Sequence, residues 1–159
     1  MGFRIRQIAS EDLGQVRRII DVSFSRFSRF FAVYSLQDDG QVLVSEAHGT
    51  IVAFAKLREF KLGEEKFGVI LWIAVHPLFR RKGIASALVR NAVQRFKLDG
   101  SKMVFACVNR RNVASLTVFS LLGFRKMGIF ELWRLFRGDV FRLYSEIWIA
   151  PGEIVFMHE

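Results

Sequence analysis

Seven consecutive apolar residues, Val69, Ile70, Leu71, Trp72, Ile73, Ala74 and Val75, run unbroken up to His76 and Pro77. No other feature of the chain restricts its fold as much. The run is too short to cross a bilayer, which takes about 20 apolar residues in a helix. A strand that is apolar on both faces has to be covered on both, which places it inside a layered α/β sheet. Pro77 ends it.

The residues after this strand are basic and then helical. Arg80-Arg81-Lys82-Gly83-Ile84-Ala85 leads into Ala87, Leu88, Val89, Ala92, Val93 and Phe96, an apolar stripe at helical spacing that Asp99-Gly100 stops. The first amides of a helix have no intrahelical acceptor, and the helix dipole adds partial positive charge there. Gly83 and Ala85 carry little side chain, so a phosphate can come close to the backbone, beside the charges of Arg80, Arg81 and Lys82. The loop suits a pyrophosphate. GxxxxGK[ST] and GxGxxG are both missing, so it is neither a P-loop nor a dinucleotide fingerprint.

Composition narrows the partners. With 159 residues and 52% hydrophobic content, the expectation is one domain over residues 1–159. The formal charge is +9, and the segment 80–111 alone carries a net +8, with Asp99 as its one acid. Such a segment favours a polyanion: a phosphorylated cofactor, or nucleic acid or the ribosome, although no nucleic-acid motif accompanies it. One cysteine, Cys107, excludes an internal disulfide and a multi-cysteine metal site, and His48, His76 and His158 are scattered, so no metal is expected. The N-terminus has no apolar leader core, and a cytoplasmic chain without a membrane partner is expected.

The remaining elements follow from periodicity. Residues 3–8 alternate as a strand, Ser10 is placed to cap a helix, and Leu13, Val16, Ile19 and Ile20 form its stripe. Phe24, Phe27, Phe30, Phe31 and Tyr34 recur at helical spacing and are expected to form a core face, with a substrate-facing lid as the alternative. Residues 41–47 and 50–62 form a hairpin around His48-Gly49. Residues 103–108 form a buried strand and 112–122 a helix closed by Gly123. Residues 124–136 and 140–149 are expected as two long strands joined by a turn at Arg137-Gly138-Asp139, and residues 153–158 can add one more strand. The predicted class is mixed α/β, a mostly antiparallel sheet flanked by helices in the order β-α-α-β-β-β-α-β-α-β-β.

Ile73-Ala74-Val75-His76-Pro77 with Arg80-Arg81-Lys82-Gly83-Ile84-Ala85 resembles the acetyl-CoA-binding motif of the GCN5-related N-acetyltransferases. Asn112, Ser115, Phe119, Gly123 and Phe124 resemble that family's second motif. The spacing fits one helix and one strand between the two, and the closest branch looks like the N-terminal and ribosomal-protein alanine acetyltransferases. The resemblance implies acetyl transfer from acetyl-CoA to a primary amine, a protein N-terminus first and a small-molecule amine next. A non-catalytic acyl-CoA-binding module is the alternative, and an oligomer is compatible with either. By the same resemblance, the backbone near Ala74 and Val75 meets the pantetheine, and Arg80, Arg81, Lys82, Gly83, Ile84 and Ala85 hold the pyrophosphate. Asn112 and Ser115 bind at the second motif, and Phe119 lies beside the thioester sulfur. Asn112 also reads as a plain helix N-cap.

Two positions depart from that branch. Cys107 stands where its members often carry an acid or a histidine, and Phe119 where they often carry tyrosine. The chemistry needs an unprotonated amine. On the expected strand 140–149, Arg142, Tyr144, Glu146 and Trp148 share one face, and Tyr144 and Glu146 are the candidates for the missing proton-handling group. A site so equipped favours a low-pKa α-amino acceptor over lysine.

Overall fold

The computed structural model describes residues 2–159. In chain order the elements are β1 (Arg4–Gln7), α1 (Leu13–Ser23), α2 (Arg26–Ser35), β2 (Gln41–Ala47), β3 (Thr50–Leu62), β4 (Glu65–Val75), α3 (Ile84–Leu98), β5 (Met103–Asn109), α4 (Val113–Leu121), β6 (Arg125–Met127), α5 (Ile129–Phe136), α6 (Val140–Ile147) and β7 (Glu153–His158). The strands lie in the order β1-β2-β3-β4-β5-β7-β6. β1 and β2 are antiparallel, as are β2 and β3. β4 and β5 are parallel, and β7 runs antiparallel to both β5 and β6. The expected mixed, mostly antiparallel sheet is therefore present. Two compact units divide the chain: Met1–Arg58 with Trp72–Ala92, and Glu59–Leu71 with Val93–Glu159.

In the first unit, α1 buries Val16, Ile19 and Ile20 with Ala32, Val42, Val44, Phe54 and Ala74. Trp72 joins this core edge-on to Phe24, ring centres 5.3 Å apart. The β2–β3 hairpin turns at His48 and Gly49, both with positive φ, as a tight hairpin turn of this hand requires. Lys56 is fully buried, and its ammonium is tied to the Asp38 carboxylate at 2.7 Å and the Asp38 carbonyl at 3.1 Å.

Two expectations fail in this unit. Ser10 is not a cap: residues 10–12 form a 3-10 turn whose preceding amide, Ala9 N–H, donates to the Asp12 carboxylate at 2.8 Å. Asp12 is buried, bound by both terminal nitrogens of Arg6, and Arg6 Nε also reaches Glu46 at 2.8 Å. The α2 aromatics form no core face either. Helix α2 turns Ala32 and Ser35 inward and leaves Phe27 72% exposed, with Phe30, Phe31 and Tyr34 also at the surface. Only Phe24, just before the helix, packs inward. Spacing of three and four defines a face; small residues on the opposite side took the buried position.

In the second unit, Phe60, Phe67 and Phe105 gather with Leu132, Val140, Leu143, Ile147, Val155 and Met157. The two long strands expected over 124–136 and 140–149 do not exist. β6 spans three residues, and helices α5 and α6 follow, joined by a 3-10 turn at Arg137–Asp139. The buried residues are Leu132, Val140, Leu143 and Ile147, a helical set. Residues 141–149 also alternate in polarity, so both periods fit and packing decided between them. The extra strand 153–158 is real and lies between β5 and β6.

Candidate active site

In the first unit, β4 ends at Val75 and hands over to a tightly held loop. His76 caps the turn Pro77–Phe79, its Nδ1 accepting the Leu78 N–H at 3.3 Å. The histidine is thus engaged as a turn residue. Arg80 Nε donates to the Val75 carbonyl at 3.0 Å, tying the loop to the end of the strand. Lys82 sits over the Phe79 ring, 5.2 Å from its centre. Arg81 and Gly83 have φ of 59° and 76°, left-handed conformations two residues apart. Alternating backbone hand turns successive amides toward one concavity, an arrangement that binds anions.

Helix α3 starts directly afterwards. Its first turn closes with Ala87 N–H donating to Gly83 O at 3.0 Å. The amides of Ile84, Ala85 and Ser86 thus precede the first intrahelical donor, Ala87 N–H, and have no acceptor within the helix. Ile84 is buried and anchors the helix start, whereas Arg80 to Gly83 are exposed. A Cβ placed on Gly83 would meet nothing within 4 Å, so the space above this backbone is open. Amides without an intrahelical acceptor, three cations and open space make this loop fit for a pyrophosphate. Ala74, one residue before the strand's end, is buried.

The second unit holds the other predicted residues. Asn112 caps α4, its Oδ1 accepting the Ser115 N–H at 3.1 Å, so Asn112 and the Ser115 amide bind each other. The far end of the helix explains the Gly-Phe pair. Phe124 N–H donates to Phe119 O at 3.1 Å and Gly123 N–H to Ser120 O at 3.3 Å, with Gly123 at φ 84°. This is a Schellman stop, and its usual apolar contact is the edge-on pairing of Phe119 with Phe124 at 5.0 Å. Phe119 is 2% exposed. Arg110 and Arg111 are exposed on the turn between β5 and α4.

β5 and β4 pair from Phe67–Met103 to Ile70–Ala106, after which β4 continues to Val75 and β5 to Asn109. Cys107 follows the last of these pairs. Its thiol donates to Ile147 O at 3.6 Å, and burial, aided by the charge of Glu153, pushes its pKa far above the ordinary thiol value. A thiol held protonated is no nucleophile. Tyr144 and Glu146 lie on helix α6, two residues and so about 200° apart, and share no face. Tyr144 packs against the aromatic core, and burial raises its pKa.

Glu153 is not among the residues that sequence patterning singles out, and it lies on β7 beside the Cys107 strand. Ala150-Pro151-Gly152-Glu153 is a turn closed by Glu153 N–H on Ala150 O at 3.2 Å, and Ala150 N–H donates back to Glu153 Oε2 at 2.8 Å. The carboxyl is half-buried, and burial raises its pKa despite that hydrogen bond. Its one sequence signal is an acid opening an apolar strand behind Pro-Gly.

A family model described as acetyltransferase (GNAT) family matches residues 5–124. Solved structures of the same fold include a protein described as a GNAT-family acetyltransferase from Desulfovibrio desulfuricans, 17% identical, TM-score 0.77, covering 99% of each chain. The PaiA N-acetyltransferase of Thermoplasma acidophilum, solved with coenzyme A, is 15% identical at TM-score 0.70, covering 100% of this chain and 99% of its own. The ribosomal-protein-S18-alanine N-acetyltransferase of Escherichia coli is 15% identical at TM-score 0.68, covering 98% and 91%. No curated protein sequence matches the chain.

Proposed function

The chain belongs to the acetyltransferase (GNAT) family, and on that premise we propose that it moves acetyl from acetyl-CoA to a primary amine, with a protein N-terminus as the first acceptor. The observation that carries this reading is the loop after β4: left-handed backbone at Arg81 and Gly83, amides at the start of α3 with no intrahelical acceptor, and open space above Gly83. Arg80, Arg81, Lys82, Gly83, Ile84 and Ala85 hold the pyrophosphate. Backbone at Ala74 and Val75, beyond the four pairs of the β4–β5 ladder, takes the pantetheine amides. Coenzyme A supplies the activated thioester and a stable leaving thiol. Asn112 and Ser115 order the start of α4, and Phe119 contributes apolar packing and no proton.

A ribosomal-protein alanine acetyltransferase among the solved relatives supports an N-terminal acceptor. The exposed aromatic face of α2 offers that acceptor apolar contact. The protonated thiol at Cys107 and the hydrocarbon at Phe119 favour a second reading, a non-catalytic acyl-CoA module. Acetyl-CoA consumption with mixed peptides and small amines separates the two.

Gly83→Glu tests the site. It sets a carboxylate at a backbone position with φ 76°, where phosphate belongs. We expect calorimetry to find coenzyme A binding abolished in a variant with unchanged circular dichroism. Neutralising Arg80 or Lys82 should weaken binding by about 1–3 kcal/mol for each charge-assisted hydrogen bond to phosphate that it removes. Unchanged affinity in Gly83→Glu removes the basis of the assignment.

A further inference from the structure

The structure assigns a proton acceptor to Glu153: we infer that its carboxylate, at the junction of β7 and β5, takes the proton that the acceptor ammonium must lose before attack. This rests on the acetyl-transfer reading and deepens it.

Position is the first argument. Glu153 pairs with Asn109, the last residue of β5, and Cys107 pairs with Val155. Side chains alternate along strands, so Asn109 and Cys107 on β5 share a face with Glu153 and Val155 on β7. β5 is one of the two parallel strands, and in open α/β sheets ligands gather beyond the carboxyl ends of such strands. Helix α4 starts four residues past Asn109, with Asn112 as its cap. Glu153 therefore stands beside the carboxyl end of β5, next to the turn that leads into α4.

Chemistry is the second. Around Glu153, β5 contributes the Cys107 thiol, the turn contributes the Ala150 amide, and α6 packs Tyr144 onto the core cluster that includes Val155. Cys107 and Tyr144 are both shifted toward their neutral forms. The carboxylate is left as the one charge among these three side chains, and the exposed Arg110, whose backbone N–H donates to Gly152 O at 3.0 Å, borders the turn as a cation. Half-burial makes it more basic than an ordinary carboxylate, which narrows the gap to an amine. Oε2 holds the Ala150 amide, and Oε1 is the atom we assign to the ammonium.

The step balances. The ammonium has three protons: one passes to Glu153, one stays on the product amide and one ends on the departing thiolate. The amine nitrogen bonds to the acetyl carbonyl carbon as the carbon–sulfur bond breaks. Water then takes the proton from Glu153.

Glu153→Gln keeps an oxygen for Ala150 N–H and cannot accept the proton. It is compared with wild type using short peptides with free α-amino groups, matched peptides with blocked N-termini, and small amines. We expect kcat/KM near pH 7 to fall roughly tenfold or more, in the range of general-base catalysis. The loss should fade as pH rises toward the amine's own pKa, and coenzyme A affinity should not change. Glu153→Asp keeps an acceptor group and should retain an acid limb at a shifted pH, which decides the matter should the Gln variant not fold. A wild-type rate and acid limb in Glu153→Gln, or an unmoved limb in a folded Glu153→Asp, overturns the role of Glu153 and leaves acetyl transfer standing. If wild type acetylates none of these amines, the transfer reading and this inference fall together.

Discussion

Two glycines show how much depends on what a single hydrogen faces. Gly68, within β4, lies against Phe96: a Cβ there would sit 2.4 Å from ring carbon Cγ. Gly14 lies in α1 with nothing within 4 Å of the same hypothetical atom. Gly68→Ala should therefore cost about 1–3 kcal/mol through overpacking. Gly14→Ala, at the second position of α1, should stabilise by up to about 0.5–1 kcal/mol, because alanine loses less backbone entropy than glycine on entering a helix. Denaturant midpoints of the two variants check this, and shifts of the same sign count against it. Sequence shows which glycine lies in a strand and which in a helix, but not what the missing side chain would strike. The same limit hid Glu153. The Pro-Gly turn and the following strand were legible, whereas its neighbour Cys107 lies 46 positions earlier and is brought near only by the ladder of β5 and β7.

The β4–loop–α3 segment was legible as an element because its signals agree: a two-faced apolar run, a proline stop, a glycine and a helical stripe. Residues 124–149 were misread because their signals conflict. The strand pattern puts Phe141 and Leu143 on one face, and helix α6 puts them on opposite sides. Phe141 is 78% exposed and Leu143 is 0% exposed. Leu143→Ala should cost about 2–5 kcal/mol, as large-to-small core changes do, and Phe141→Ala well under 1 kcal/mol. Thermal melts of the two variants discriminate: equal losses would restore the strand. Helix α2 shows the complementary failure, since its period was legible and its buried side was not. Periodicity defines a face, and only the partner surface decides whether that face is covered.

For the chain as a whole, acid resistance and acceptor choice follow from its charges. Arg6 binds the buried Asp12 carboxylate and holds its pKa below the usual range. Stability from that shift is fully present above the unfolded carboxyl pKa of about 3.9 and is lost as pH falls through the lower folded value. The melting-temperature gap between wild type and Asp12→Asn should therefore hold down to about pH 5 and shrink as pH falls below about 4, and a gap that stays constant into that acid range counts against the linkage. A carboxylate, even a half-buried one, remains a weak base for lysine. At pH 7.5 α-amino acceptors should exceed matched lysine side chains by roughly tenfold in kcat/KM, given reference pKa values about 2.5 units apart. Equal rates would point to a stronger base. Cys107 is the one sulfhydryl of the chain, hydrogen-bonded and held protonated. Colorimetric reagents that count sulfhydryls react with the ionised form, so the native protein should be nearly silent to them while released coenzyme A is not. Turnover can thus be recorded continuously as absorbance, without a blank for the enzyme's own sulfur.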